Sequence, residues 1–178
     1  QQSLNKRSTT QQAWRVSMNI GQQSFQQGRM GDAVAAFSQA AKLQPERVEG
    51  WVNLGSALLE TKRFTEAAAA LSNAITLNPK LMASHMLLGD ALRQLGEVNL
   101  ALTSYRQAVA LQRIPLALNK LACALRVRGQ FEEARDLYHE AIRLDPKFTL
   151  ALVNLATLHI ETADFDEARA QLNELGTR

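Results

Sequence analysis

One sentence of this chain is written twice. Residues 52–67 read VNLGSALLETKRFTEA, and residues 153–168 read VNLATLHIETADFDEA, with eight of the sixteen positions identical. The echo belongs to a longer period. Ala33, Ala67, Ala101, Ala134 and Ala168 follow one another at 34, 34, 33 and 34 residues. Gly21, Gly55, Gly89, Ala122 and Ala156 keep the same step, as do Phe37, Leu71, Tyr105, Tyr138 and Leu172. A unit this short cannot bury its apolar face alone, so a chain built of such units must stack them, each against its neighbours. That excludes most fold classes before any single residue is weighed.

The units start at Trp14, Val48, Met82, Pro115 and Thr149, giving copies 14–47, 48–81, 82–114, 115–148 and 149–178 of a single domain over 14–178, after a polar extension over 1–13. Within each copy apolar residues recur at helical spacing. In the second, Trp51, Leu54, Gly55 and Leu58 share one face of a first helix, and Phe64, Ala67, Leu71 and Ala74 share one face of a second. A break separates the two helices at Gly28, Lys62, Gly96, Gly129 and Ala163. Glycine suits a helix end because it tolerates positive φ, so Lys62 and Ala163 predict mildly strained turns. Pro45, Pro79 and Pro146 stop the second helices, since proline offers no amide proton and restricts the residue before it. The one 33-residue step falls at LQRIP (111–115), where Pro115 is displaced by a deletion. The small columns predict close helix pairs, with Gly or Ala of the first helix facing Ala of the second and Leu, Phe or Tyr filling the flanks. At the far end, Leu172 and Leu175 are expected to face outward with no following helix, leaving either a continuing chain or self-association through the uncapped last copy. The glutamine-rich start predicts either an added turn of helix before Trp14 or disorder.

Composition narrows function by exclusion. A formal charge of +3 in 178 residues does not call for nucleic acid or anionic lipid. Cys123 is the single cysteine, so no disulfide can form within the chain and an oxidising compartment is not required. No apolar run approaches the ~18 residues of a membrane helix, and the N-terminal QQSLNKRSTTQQ has no apolar signal core. The missing initiator Met fits a processed terminus or an internal fragment. A cytoplasmic location is the expectation, with the periplasm left open. No Gly-rich phosphate loop, HExxH or paired metal-ligand spacing occurs, so neither catalysis nor a cofactor is expected. His85, His139 and His159 sit in or beside packing columns and read as packing residues. Cys123 reads as a small residue on a first helix.

The W-x2-L-G-x2-L run at 51–58, the alanine column, the aromatic or leucine column and the closing proline together resemble the tetratricopeptide repeat family, over nearly the whole of 14–178. The resemblance implies an all-α fold: a right-handed superhelical solenoid of five helix-turn-helix repeats, with a concave groove lined by the first helices.

Function in such an array belongs on that inner surface. The columns facing it hold Met18, Asn19 and Gln22 in the first copy, Val52, Asn53 and Ser56 in the second, and Met86, Asp90 and Arg93 in the third. They continue with Asn119, Lys120 and Arg126 in the fourth copy and Asn154 in the fifth. Asn19, Asn53 and Asn154 share one column, and an amide carries both a donor and an acceptor suited to a peptide backbone. The column looks like the asparagine ladder of the repeat arrays in O-linked N-acetylglucosamine transferase and kinesin light chain, although Leu87 and Lys120 interrupt it. The alternative is that asparagine is simply common there. Arg93, Arg126 and Lys120 offer a basic patch for a ligand carboxylate, or else solvated charges with Asp90 as partner. Met18, Phe25, Val52, Leu59, Met86, Val153 and Ile160 form either an apolar docking stripe or half-buried packing. The two-carboxylate clamp of heat-shock co-chaperones finds Met18, Gln22, Asn53, Ala83 and Leu87 at its positions; only Asn53 matches, so that ligand is not expected.

The leading expectation is a non-enzymatic scaffold that holds a peptide segment or partner helix. The alternative is the substrate-recognition arm of a larger enzyme such as a glycosyltransferase. Nucleic-acid binding is disfavoured by the charge and by Glu49, Glu60, Asp90 and Glu161 in the groove columns. If the ladder works, replacing Asn53 and Asn154 with alanine weakens peptide binding and leaves the melting temperature almost unchanged.

Overall fold

The computed structural model describes the backbone of residues 2–176 and the side chains of residues 8–170, 172 and 173. The described residues form helices and no strands. The chain divides into two compact units, Gln1–Glu97 and Val98–Arg178. The first holds α1 (Gln2–Gln26), α2 (Met30–Leu43), α3 (Val48–Glu60), α4 (Phe64–Leu77) and α5 (Met82–Gln94). The second holds α6 (Val98–Leu111), α7 (Pro115–Val127), α8 (Phe131–Leu144), α9 (Thr149–Glu161) and α10 (Phe165–Gly176). The division falls between the two helices of the third copy.

In the first unit α1 pairs with α2 and α3 with α4, and the pairs stack through α2 against α3 and α4 against α5. The second unit repeats the scheme with α7 on α8, α9 on α10, and stacking of α6 on α7 and α8 on α9. The alanine column carries the packing: Ala33, Ala67, Ala101 and Ala134 have no exposed surface, and Ala168 is 3% exposed. At Gly21 and Gly55 the nearest neighbours belong to the bulky column of the second helix. A Cβ on Gly21 would stand 2.4 Å from Phe37 Cε1, and one on Gly55 would stand 2.5 Å from Leu71 Cγ. At these two positions the small residue on the first helix makes room for the bulky column of the second. Between copies, Gly50 lets α3 close on α2, with Ala41 backbone atoms 3.3 Å from where a Cβ would sit.

The within-copy turns share one hydrogen-bonded motif. After α3 the Arg63 amide donates to the Leu58 carbonyl and the Lys62 amide to the Leu59 carbonyl, at 2.9 and 3.0 Å. The same two bonds recur after α1, α5, α7 and α9. This closure needs a left-handed residue. Gly28, Gly96 and Gly129 supply it at φ of 73°, 80° and 73°, while Lys62 (59°) and Ala163 (64°) are forced into it, as their column predicts. An L-residue held there costs about 1–2 kcal/mol, partly offset because glycine loses more backbone freedom on folding. Lys62→Gly and Ala163→Gly are each expected to stabilise by about 0.5–1 kcal/mol, read as a raised urea midpoint at unchanged m-value. An unchanged or lowered midpoint contradicts the strain.

The prolines divide their work. Pro45, Pro79 and Pro146 each lie two residues beyond a second helix, whereas Pro115 opens α7 as its first residue, where a missing amide proton costs nothing. The connections are also tied back to the next first helix. Trp51 Nε1 donates to the Pro45 carbonyl at 2.8 Å, and His85, 34 residues on, sets Nε2 at 2.9 Å from the Pro79 carbonyl. His85 is thus a structural donor. At the N-terminus α1 runs through the polar extension as continuous helix, and Gln44 Nε2 donates to Gln11 Oε1 at 2.7 Å. Leu172 is 49% exposed; the expectation for Leu175 lies outside the described side chains.

Candidate functional site

The candidate residues fall in both units, and their surroundings differ. In the first unit, α1, α3 and the segment leading into α5 line a cleft of about 550 Å³. Met18, 7% exposed, is part of the core beneath it rather than a surface residue, because α1 packs this face inward. Val48, Val52 and Leu81 add half-buried apolar walls. Asn19, Gln22 and Asn53 stand among them, with no hydrogen-bond partner among the described residues. Gln22 and Asn53 also border a second hollow of about 320 Å³, bounded by Phe25, Gln26, Phe37 and Ser56. Of the charges at the larger hollow, Glu49 is engaged by Arg47 at 3.2 Å, and Arg15 is exposed with no ion pair among the described residues. Arg47 also stacks on the Trp14 ring, 3.8 Å from its centroid.

Trp14, Asn78 and Leu81 were not among the sequence-derived candidates. Asn78 and Leu81 sit in the connection after α4, outside the helical columns, and Trp14 reads as the first residue of a copy. The signal for Leu81 is its place immediately before α5, where Arg47 stands before α3.

The second unit uses its inner polar residues on itself. Asn154 Nδ2 donates to Asn119 Oδ1 at 2.8 Å and approaches Cys123 Sγ at 3.4 Å. Asn119 is 3% exposed, so it is a buried partner of Asn154 and not a groove residue. The amide column is therefore not a row of three free side chains. Asn19 and Asn53 are unengaged among the described residues, whereas Asn154 links α9 to α7. Replacing Asn53 and Asn154 together with alanine is therefore expected to lower the melting temperature rather than leave it almost unchanged, because Asn119 loses its donor. Tyr138, fully buried, donates its hydroxyl to Cys123 Sγ at 3.3 Å, and burial pushes its ionisation above the ordinary range, so it stays a neutral donor. Arg126 pairs with Glu161 of the next first helix, so the charge assigned to a basic patch is met, by a carboxylate other than Asp90. Arg93 lies in the first unit and Lys120 and Arg126 in the second. Of the remaining candidates, Ser56 borders the smaller hollow, and Met86 and Asp90 are half-buried on α5.

His159 is 5% exposed, with Nδ1 lying 3.7 Å from the Asp164 carboxylate. His139 is exposed, and its basicity is lowered first by desolvation and then by His159. No group of three or more His, Cys, Asp or Glu able to hold a metal ion occurs among the described residues. Nor, among them, is any helix long and apolar enough to cross a membrane.

Comparison with known proteins agrees with the repeat arithmetic. No curated protein matches the sequence. Among solved structures, the fold is similar to MamA 41-end from Desulfovibrio magneticus RS-1, with a TM-score of 0.85 and 19% identity over 93% of this chain and 94% of that one. TTC0263, a thermophilic TPR protein of Thermus thermophilus, gives a TM-score of 0.71 at 23% identity over 79% of this chain and 78% of that one. YrrB, described as a TPR protein with an unusual peptide-binding site, gives 0.71 at 19% identity over 89% and 82%. Tetratricopeptide repeat models match residues 18–81, 63–117 and 127–177. With most of its length in those matches and its helices paired as described, the chain belongs to the tetratricopeptide repeat family.

Proposed function

We propose that this protein is a non-enzymatic protein-interaction scaffold, and that its ligand is a peptide segment seated in the cleft of the first unit. One observation carries the reading: an apolar cleft of about 550 Å³ in which Asn19, Gln22 and Asn53 have no hydrogen-bond partner among the described residues. Apolar walls supply affinity by excluding water, and a few convergent amides orient what is bound. The second unit is a weaker candidate, because Asn154 and Arg126 there serve α7–α9 contacts. The peptide-binding site named for YrrB, a protein of similar fold, favours the same reading.

The test is selection of short random peptides displayed on phage against the whole chain. Val52→Glu places a charge in the cleft wall, and Asn53→Ala removes an amide without touching the core. Peptides enriched on the parent chain are expected to lose about tenfold or more in affinity for Val52→Glu and about threefold for Asn53→Ala, with the fluorescence of Trp14 and Trp51 confirming an intact first unit. Enriched peptides that bind Val52→Glu as well as the parent rule the cleft out.

A further inference from the structure

The two hollows of the first unit are in line, and their order along the helices sets a ruler. On α1 the larger hollow is floored by Met18 and the smaller is walled by Phe25, seven residues on. At about 1.5 Å per residue that is about 10 Å along the helix. On α3 the corresponding step is from Val52 to Ser56, four residues or about 6 Å. Gln22 and Asn53 border both hollows, so one amide pair stands at the boundary between them. A ligand that fills both must therefore present two side chains on the same side, about 6–10 Å apart. In an extended chain, neighbouring side chains point to opposite faces, and residues two apart share a face at roughly 7 Å. One turn of helix spans about 5.4 Å, but it presents a cylinder roughly 10 Å across and no free backbone groups for the amides.

The chemistry of the two hollows is unequal. The larger has Trp14, Met18, Val48, Val52 and Leu81 around it, which suits an aliphatic side chain. The smaller sets Phe25 and Phe37 among Gln22, Gln26, Asn53 and Ser56, which suits a side chain with an apolar body and a hydrogen-bonding tip, such as tyrosine. Arg15 lies one turn before Met18, at the end of the larger hollow away from the smaller one. Glu49, the carboxylate at that hollow, is already held by Arg47. The net demand at that end is for a negative charge.

We infer, granting that the cleft binds peptide, that it reads an extended segment in which an aliphatic residue and a residue with a hydrogen-bonding tip stand two apart, with a carboxylate flanking the aliphatic one on its far side. Gln22 and Asn53 then meet the peptide groups of the intervening residue, whose own side chain points to solvent and is unrestricted. Arg15 makes binding weaken with salt, since it is an exposed charge.

The test uses the same displayed-peptide selection on the whole chain, scored for residue pairs in both chain directions. Cleft-dependent peptides are expected to share an aliphatic residue and a tyrosine-like residue at a separation of two. A fluorescein-tagged peptide taken from that set should lose about tenfold in affinity when one glycine is inserted between the two anchors, because the second side chain then turns to the opposite face. Arg15→Glu should weaken acid-bearing peptides several-fold and remove most of their salt dependence, while leaving their alanine-substituted counterparts unchanged. Cleft-dependent peptides with no preferred separation, or undiminished binding after the glycine insertion, overturn this inference and leave the cleft as the binding site. Failure to find any peptide sensitive to Val52→Glu overturns both.

Discussion

Gly55→Val is expected to destabilise the first unit by about 3 kcal/mol, the upper part of the range for overpacked cores. Leu71 Cγ, the branch point of a side chain with no exposed surface, stands 2.5 Å from the position a Cβ at Gly55 would take. It cannot swing aside without displacing its own two methyl groups. Valine's better helix propensity returns only a few tenths of a kcal/mol. Trp14 and Trp51 both lie in the first unit, so fluorescence during urea unfolding reports on the unit that changes. The companion variant decides the cause. Leu71→Ala alone should cost about 2–5 kcal/mol through a cavity, and the double variant should cost less than the sum by about 1–3 kcal/mol, because each change relieves the other. Strict additivity would show that the two side chains do not compete for one space.

The second large effect is expected at Asn154. Asn154→Ala deletes the donor to Asn119, a residue only 3% exposed that acquires no other partner among the described residues. An unsatisfied buried polar group costs about 1–3 kcal/mol, whereas removing both partners together is close to neutral. Thermal unfolding followed by circular dichroism should show a clear loss for Asn154→Ala and recovery in Asn119→Val/Asn154→Ala. Valine is the choice because the equivalent positions in the second and fifth copies are Val52 and Val153. Asn53→Ala should stay within about 0.5 kcal/mol of the parent. Equal losses at Asn53 and Asn154 would mean that the Asn119 bond contributes nothing.

That contrast marks how far the sequence could be read. The helices, their order and even the strained turns at Lys62 and Ala163 follow from the columns, because each depends on positions within one copy. The fate of an amide depends on what the neighbouring copy places opposite it. Met18, Val52, Met86 and Val153 are apolar in a column where the fourth copy carries Asn119, and that outlier is the legible sign that Asn154 has a partner. The Gly55–Leu71 pairing was missed for a related reason: a column shows that a residue is small without showing which residue required it. The division at Glu97 leaves no mark in the columns at all, since Gly89, Ala101 and Tyr105 of the third copy match their counterparts.

The turns inside the copies span three residues every time: 27–29, 61–63, 95–97, 128–130 and 162–164. The linkers between copies span four at 44–47, 78–81 and 145–148, but three at 112–114. An extra residue inside a turn would break two hydrogen bonds and the left-handed step at once. A residue gained or lost between copies can be absorbed by refitting a helix start, as Pro115 shows. Evolutionary drift in length, and any epitope or fluorophore grafted by an engineer, therefore has its natural port of entry at the linkers 112–114 and 145–148, which border neither hollow of the first unit.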